Sequence, residues 1–395
     1  MLALIAVISL AAWLYLFFAH HGFWHADQRL PRDTRPMSAW PSVVAIVPAR
    51  NEAASIEACI RSLAAQRYDG SFRVILVDDG SADGTAGLAR SAATPERLSV
   101  MSAPPLADGW TGKLWAMQAG LTRAASDGLS PIYFWFTDAD IVHPPETLSR
   151  LVGKSVHRHR DLVSLMVKLH CRHTWERLLI PAFVYFFQML YPFRAANDDS
   201  SRIAAAAGGC ILVKRETLLA AGGLAPIRGE IIDDCALARI VKRTGGRLWL
   251  GLSDGSTSVR EAIGLAPLWA MVRRTAFTQL RYSTPLLAGT VLGLGLIFFA
   301  PALLIAAWPW HGDSGAALIG LLALLLMTLS YIPTVRDYGL APWRAVLLPA
   351  AAALYAAMTV ASALAHWRRR GGAWKGRTYG DPGPRNGPPL APPTR

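Results

Sequence analysis

Phe134-Trp135-Phe136-Thr137-Asp138-Ala139-Asp140 is the stretch on which the reading of this chain turns. A short run of bulky apolar residues suits a strand buried on both faces, and this one ends in two carboxylates one residue apart. At a strand's exit alternate side chains point the same way, so Asp138 and Asp140 can converge on one hard cation. An isolated Asp-x-Asp is an ordinary turn, because Asp is a favoured turn former. The company it keeps must decide.

Working outward, Val43-Val44-Ala45-Ile46-Val47 is a continuous apolar strand that turns through Pro48-Ala49-Arg50-Asn51-Glu52 into a helix from Ala53 to Leu63. A second strand, Phe72 to Val77, stops at Asp78-Asp79-Gly80-Ser81, with a helix after Asp83-Gly84-Thr85. A third strand is expected near Leu98 to Met101, and Ile132 to Phe136 is the fourth. Alternating strands and helices predict an α/β domain of parallel βαβ units. Ligands of such sheets bind beyond the carboxyl ends of the strands, where Asn51, Glu52, Asp78, Asp79, Asp138 and Asp140 all fall. Several acidic strand ends on one edge point to a cation-assisted phosphate site. Gly109-Trp110-Thr111-Gly112-Lys113-Leu114 is not a Walker A loop, since it lacks the first glycine and the Ser or Thr after the lysine. A phosphoacceptor receiver would carry its acidic pair after the first strand, not the second, and would leave the apolar segments idle.

Those segments set the second half of the argument. Of 395 residues, 52% are hydrophobic and 17% charged, too apolar for an ordinary soluble protein. The formal net charge of +13 suits an anionic membrane face. Nucleic acid is set aside as a partner, because no basic–aromatic surface is left that the membrane segments do not explain better. Leu2 to Phe18 is long enough to span a bilayer, with Arg29, Arg32 and Arg35 behind it placing the following domain in the cytoplasm. Further apolar stretches run from Pro285 to Trp308, Ala316 to Ile332 and Ala345 to Ala365. Three crossings there put the basic tail outside, against the positive-inside tendency, unless the last stretch re-enters. Leu265 to Tyr282 carries an apolar stripe with Arg273, Arg274 and Arg281 off it, which fits either an amphipathic helix in the membrane surface or a packed domain helix. Trp175 to Phe193 reads as a membrane-dipping or acceptor-lining element, or a buried core helix. The expected divisions are a membrane helix at 1–19, a basic linker at 20–41, the α/β domain at 42–255, an interfacial segment at 256–284, membrane segments at 285–366 and a basic tail at 367–395. Cys59, Cys171, Cys210 and Cys235 lack metal-site spacing.

The ordered series Val47-Pro48-Ala49-Arg50-Asn51-Glu52, Val77-Asp78-Asp79-Gly80-Ser81, Gly112 to Gly120, Asp138-Ala139-Asp140, Gly208-Gly209-Cys210 and Asp233-Asp234 resembles a family 2 glycosyltransferase of GT-A fold. The resemblance runs from Ser42 to Gly255. The membrane arrangement and the Gly109 to Ala116 wording further resemble the hopanoid-associated glycosyltransferases of bacteria. The resemblance implies a mostly parallel sheet flanked by helices, with one N-terminal and several C-terminal membrane helices in the inner membrane. It also implies a nucleotide-sugar donor held by Pro48, Arg50, Asn51, Glu52, Asp78, Asp79, Lys113 and Asp138, with Mg2+ or Mn2+ on Asp138 and Asp140.

By the same resemblance Asp233-Asp234 stands where the family has Glu-Asp, and Asp234 would deprotonate the acceptor hydroxyl. One Asp at that helix start would also serve as a cap. Gly208 and Gly209 would let the backbone approach a sugar. Arg281-Tyr282 partly matches the Arg-Trp of processive members, with Gln279 out of register, so one sugar moved to a lipid acceptor is expected rather than a polymer. The rivals are a processive polysaccharide synthase and a non-catalytic nucleotide-sugar-binding membrane protein.

Overall fold

The computed structural model describes residues 1–32 and 37–368 and, as a two-residue ladder, 373–374 and 377–378. Arg35 and most of the basic tail, Arg369, Arg370 and Lys375 included, lie outside the described residues. Eight strands form one sheet: β1 (Val43–Ala49), β2 (Phe72–Asp78), β3 (Leu98–Ser102), β4 (Tyr133–Thr137), β5 (Ile141–Val142), β6 (Leu162–Lys168), β7 (Cys210–Lys214) and β8 (Leu248–Ser258). Their order is β3-β2-β1-β4-β7-β6-β8-β5.

The half predicted from strand–helix alternation is parallel throughout, with Ile46 of β1 opposite both Ile75 of β2 and Phe136 of β4. All seven residues of β1 and all five of β4 are buried, as a strand covered on both faces requires. One face packs on Ile56, Ile60 and Leu63 and on Leu148 and Leu151; the other packs on Leu114 and Met117 and on Leu237 and Val241. Beyond β4 the sheet becomes mixed, because β7 runs antiparallel to both β4 and β6 while β6 and β8 are parallel. β8 continues to Ser258, three residues past the expected domain boundary.

One expectation about the flanking segments changes and one open alternative is decided. Residues 20–41 are not a free linker, since Gln28 O accepts the Leu252 N–H at 2.7 Å and Leu30 is buried in the sheet's core. Arg29 pairs with Asp254 at 2.8 Å and with Asp337, so this stretch straps the sheet edge to the end of the apolar Ser314–Asp337 helix. The Leu265–Gln279 helix does not offer its apolar stripe to lipid. Leu268 and Val272 pack with Leu348, Ala351 and Tyr355, and Phe277 packs with Ala363, so the stripe is spent on another helix.

Among the described residues, four helices are long and apolar enough to cross a membrane: Leu2–Ala19, Thr284–Ala306, Ser314–Asp337 and Pro342–Trp367. They match the four apolar stretches seen in the sequence. The Thr174–Leu190 helix joins them to the sheet domain. Its Tyr185 hydroxyl meets Ser330 Oγ at 2.6 Å, its Leu179 carbonyl accepts from Tyr355 at 2.9 Å, and its Val184 packs against Met166 of β6. A hydroxyl buried in this apolar packing costs free energy unless paired, and both are paired.

Candidate functional site

The carboxyl ends of β1 and β4, the start of the Gly112–Ser126 helix and the exit of β8 meet around a cavity of about 470 Å³. Its lining joins Pro48, Glu52, Lys113, Asp138, Asp140 and Asp233 from the strand-end region with Ile180, Leu268 and Met271 from the two apolar helices. Its wall carries six carboxylates (Glu52, Asp138, Asp140, Glu230, Asp233, Glu261) against three Lys or Arg (Lys113, Arg260, Arg274). Six minus three leaves an excess of three negative charges, so a diphosphate needs added positive charge to enter.

Asp138 and Asp140 both reach this cavity, held differently. Asp138 Oδ1 accepts from Lys113 Nζ at 2.9 Å, and the same ammonium reaches Asp233 Oδ2 at 3.2 Å. Asp140 Oδ2 accepts from the Ser258 hydroxyl at 2.7 Å and from Arg260 Nε at 3.1 Å. Burial raises the pKa of Asp138, Lys113 lowers it, and the neighbouring Asp140 raises it again, for a net rise from its ordinary value. Burial disfavours the Lys113 ammonium, but Asp138 and Asp233 outweigh it and hold its pKa above the usual amine range. Lys113 sits in the first turn of its helix, where the macrodipole disfavours a cation. The acids across the cavity offset that cost. The donor set fits a hard divalent cation: two carboxylates one residue apart, each already turned toward positive charge, in a wall of net negative charge.

Behind Asp138 a buried string fixes the strand exit. The Thr137 hydroxyl lies 2.9 Å from the Gly209 carbonyl and 2.8 Å from His143 Nε2, and His143 Nδ1 lies 2.9 Å from Ser256 Oγ. Burial pushes the His143 pKa down to about 3, so the ring is neutral and serves as a hydrogen-bonding strut.

Asp234 lies beside the main cavity, in a smaller pocket with Lys113, Asp138, Gly208 and Asp233. Its Oδ2 accepts the Gly208 N–H at 2.8 Å and its Oδ1 the Cys235 N–H at 2.7 Å. Burial and then the adjacent Asp233 push its pKa up to about 6, against the lowering effect of Lys113 and these two N–H groups. Such a carboxylate is poised to exchange a proton near neutrality.

The other candidates divide by place. Arg50, Asn51, Asp78 and Asp79 form a loop cluster at the β1 and β2 exits, next to the cavity wall at Pro48 and Glu52. Asn51 sits at φ +50°, its N–H donating to Ser81 Oγ at 2.9 Å and its Oδ1 accepting from Ala82 N at 3.0 Å. Asp78 Oδ1 accepts from Ser81 N at 3.2 Å, and Arg50 reaches the Asp79 carbonyl. Both Glu52 oxygens meet Arg260 at 2.6 Å, so Glu52 spans the two groups.

Gly208 borders the site, where a Cβ would stand 3.2 Å from Lys113 Nζ and 3.4 Å from Asp234 Oδ2. Gly209 does not face it: a Cβ there would meet Val167 Cγ2 at 2.7 Å, so this glycine serves sheet packing. Arg281 and Tyr282 are also elsewhere. The Leu265–Gln279 helix touches the cavity over Pro267, Leu268, Ala270, Met271 and Arg274, then carries the chain on by about 1.5 Å per residue. Arg281 is exposed, and Tyr282 stacks on His366 at 4.4 Å between ring centroids. Sequence reasoning missed Arg260, Ser258, Glu261 and His143. Arg260 and Ser258 lie at a strand exit, the very signal that flagged Asp138, but β8 itself was not recognised.

Residues 44–219 match Glycosyl transferase family 2, so this part of the chain is similar to that family. An N-acetylglucosaminyltransferase of Mesorhizobium japonicum is 28% identical over 203 residues, 48% of this chain and 45% of that one. An undecaprenyl-phosphate 4-deoxy-4-formamido-L-arabinose transferase of Aeromonas hydrophila is 32% identical over 137 residues, 34% of this chain and 39% of that one. The chain thus spans half or less of the length of the curated relatives it matches. A mannosyltransferase of Pyrobaculum calidifontis, solved with GDP-Man and Mn2+, superposes with a TM-score of 0.53 at 22% identity, over 93% of this chain and 99% of that one. The fold is therefore of the GT-A type, extended by membrane-length helices.

Proposed function

We propose that this protein is a membrane-bound glycosyltransferase that moves one sugar from a nucleotide-diphosphate sugar to a lipid acceptor by single displacement with inversion. The observation that carries the proposal is the cavity itself, whose lining joins acidic strand ends to Ile180, Leu268 and Met271, packed with the membrane-length helices. The undecaprenyl-phosphate sugar transferase among the relatives, and the GDP-Man and Mn2+ bound by the solved mannosyltransferase, support the same class of donor, metal and acceptor.

Asp138 and Asp140 would hold Mg2+ or Mn2+, which stabilises the charge that gathers on the departing diphosphate. Lys113 adds a fixed positive charge beside them. The Arg50–Asn51 and Asp78–Asp79 cluster, with Glu52, presents the carboxylates and amide that bind a ribose and a base. Asp234 takes the acceptor hydroxyl's proton. The resemblance of Gly109 to Ala116 to the hopanoid-associated glycosyltransferases favours a polycyclic isoprenoid lipid as acceptor, and the domain would face the cytoplasm.

The experiment is transfer from labelled nucleotide sugars in membranes containing the protein, with lipids extracted and weighed for a gain of one sugar. Asp140→Asn is expected to abolish the gain. Undiminished transfer in that variant overturns the metal assignment, and a ladder of products overturns single transfer.

A further inference from the structure

Beside the same cavity a second cluster is built from other chemistry. Glu176, on the first turn of the Thr174–Leu190 helix, is fully buried, and its carboxylate is saturated. Oε2 accepts the Arg172 and His173 N–H groups at 2.8 and 2.9 Å, Oε1 accepts the Ala262 N–H at 2.7 Å, and both lie 2.9 Å from His170 Nδ1. Four donors converge on its two oxygens, three of them backbone N–H groups, and together they favour the ionised form. An ionised carboxylate accepts only, so His170 Nδ1 carries the proton and donates it. That leaves the Nε2 lone pair on the far side of the ring.

Nε2 of His170 then faces Glu261 Oε1 at 3.7 Å, and Nε2 of His173 faces Glu261 Oε2 at 3.7 Å. A ring nitrogen of each histidine lies within 4.8 Å of the other and of a Glu176 oxygen. A proton or a metal ion between that nitrogen and the Glu261 carboxylate would satisfy both, and a second imidazole facing the same carboxylate favours the metal. Two ligand atoms each about 2.1 Å from a shared ion and 3.7 Å apart subtend about 120° at it, within the range of zinc sites. The Glu176–His170 hydrogen bond is the carboxylate–imidazole pairing that orients metal-bound histidines.

We infer that His170, His173 and Glu261 form a second metal site for a borderline divalent cation such as zinc, oriented by Glu176 and separate from the Asp138–Asp140 site. Imidazole nitrogens favour such ions over magnesium, so the two sites select by chemistry. The ion would tie the loop between β8 and the Leu265–Gln279 helix to the start of the Thr174–Leu190 helix. That loop carries Arg260, whose guanidinium bridges Glu52 and Asp140. The inference does not depend on the proposed sugar transfer.

The test is zinc equilibrium dialysis of the full chain in detergent after chelator treatment, with metal read by mass spectrometry. The Asp138→Asn/Asp140→Asn double variant, which removes the first site, is expected to keep one zinc per chain. Adding Glu261→Gln, a half-exposed position where folding is not at stake, or His173→Ala is expected to weaken zinc at least about 10-fold, the low end of the range seen even for outer-shell changes. Cobalt should give visible absorption in the double variant that Glu261→Gln removes. If the double variant binds no zinc, or binds it unchanged after both substitutions, the site does not exist.

Discussion

The two walls of the cavity solve opposite problems. The donor wall gathers acids that repel one another and holds them with Lys113 and Arg260, each cation shared by two carboxylates. The wall toward the membrane helices is apolar, built from Ile180, Leu268 and Met271, with Arg274 among them. Arg274 Nε is buried without a hydrogen-bond partner, which sets it apart from the two paired cations of the donor wall. On the first wall charge is the structure, so a single isosteric change removes function without removing the fold. On the second, packing is the structure, and polar substitutions there act through stability.

The sharpest way to break this contrast is Asp140→Asn. It keeps the volume and the Ser258 hydrogen bond but halves the carboxylate set, and transfer is expected to fall at least about 100-fold. Donor affinity in that variant should lose its dependence on added Mn2+, read by calorimetry with and without the ion. If the fall is matched by a large loss of melting temperature, the acidic wall is structural after all.

Asp234→Asn comes next, with transfer lowered by about 10²–10⁴-fold, the usual worth of a positioned base, and donor binding retained. The wild-type rate should fall as pH drops through about 6, because the protonated acid cannot accept. The stability effect has the opposite sign. A carboxyl whose folded pKa is raised above 3.8 binds more protons folded than unfolded between about 4 and 6, so it costs stability as pH rises through that window. At pH 7 the asparagine variant is relieved of that cost but can accept only one of the Gly208 and Cys235 N–H groups. A small net change in melting temperature is therefore expected beside an almost complete loss of transfer.

Lys113→Met sharpens the comparison at smaller scale. It leaves Asp138 and Asp233 without their shared cation, and removing a hydrogen bond to a charged group predicts a rise in donor KM of about 10-fold or more. Added Mn2+ should recover part of the loss if the metal and the lysine answer the same charges. No response to Mn2+ would separate them.

How far these walls were legible in the sequence follows from the same contrast. β1, β2 and β4 are mostly apolar runs with Glu52, Asp78 and Asp138 at or just past their ends, so both the strands and their chemistry showed in single stretches of chain. β8 bears serines, glycine and aspartate through its second half, so its pairing is set by β6 and β5 rather than by its own pattern. Ser258 and Arg260 were lost with it. The spanning lengths were readable from hydropathy, but which helix covers the Leu268 stripe is a tertiary fact that periodicity does not carry. Arg281-Tyr282 shows the same limit, since a local match to a motif does not say where the fold carries it.

That last point gives the smallest expected effect and a clean discrimination. Arg281 lies at φ +52° and Tyr282 at φ +58°, two successive left-handed residues that reverse the chain before the Thr284–Ala306 span. The Arg281 side chain is exposed, while the Tyr282 ring is held by His366 and by the Thr278 hydroxyl at 3.1 Å. Arg281→Gly removes the guanidinium while suiting the left-handed backbone. With no site contact to lose, transfer should stay within about twofold of wild type, as for other exposed substitutions. A loss of about 10-fold or more at unchanged melting temperature would mean that the acceptor reaches past Arg274 to the end of the helix, and that the apolar wall recognises charge as the donor wall does.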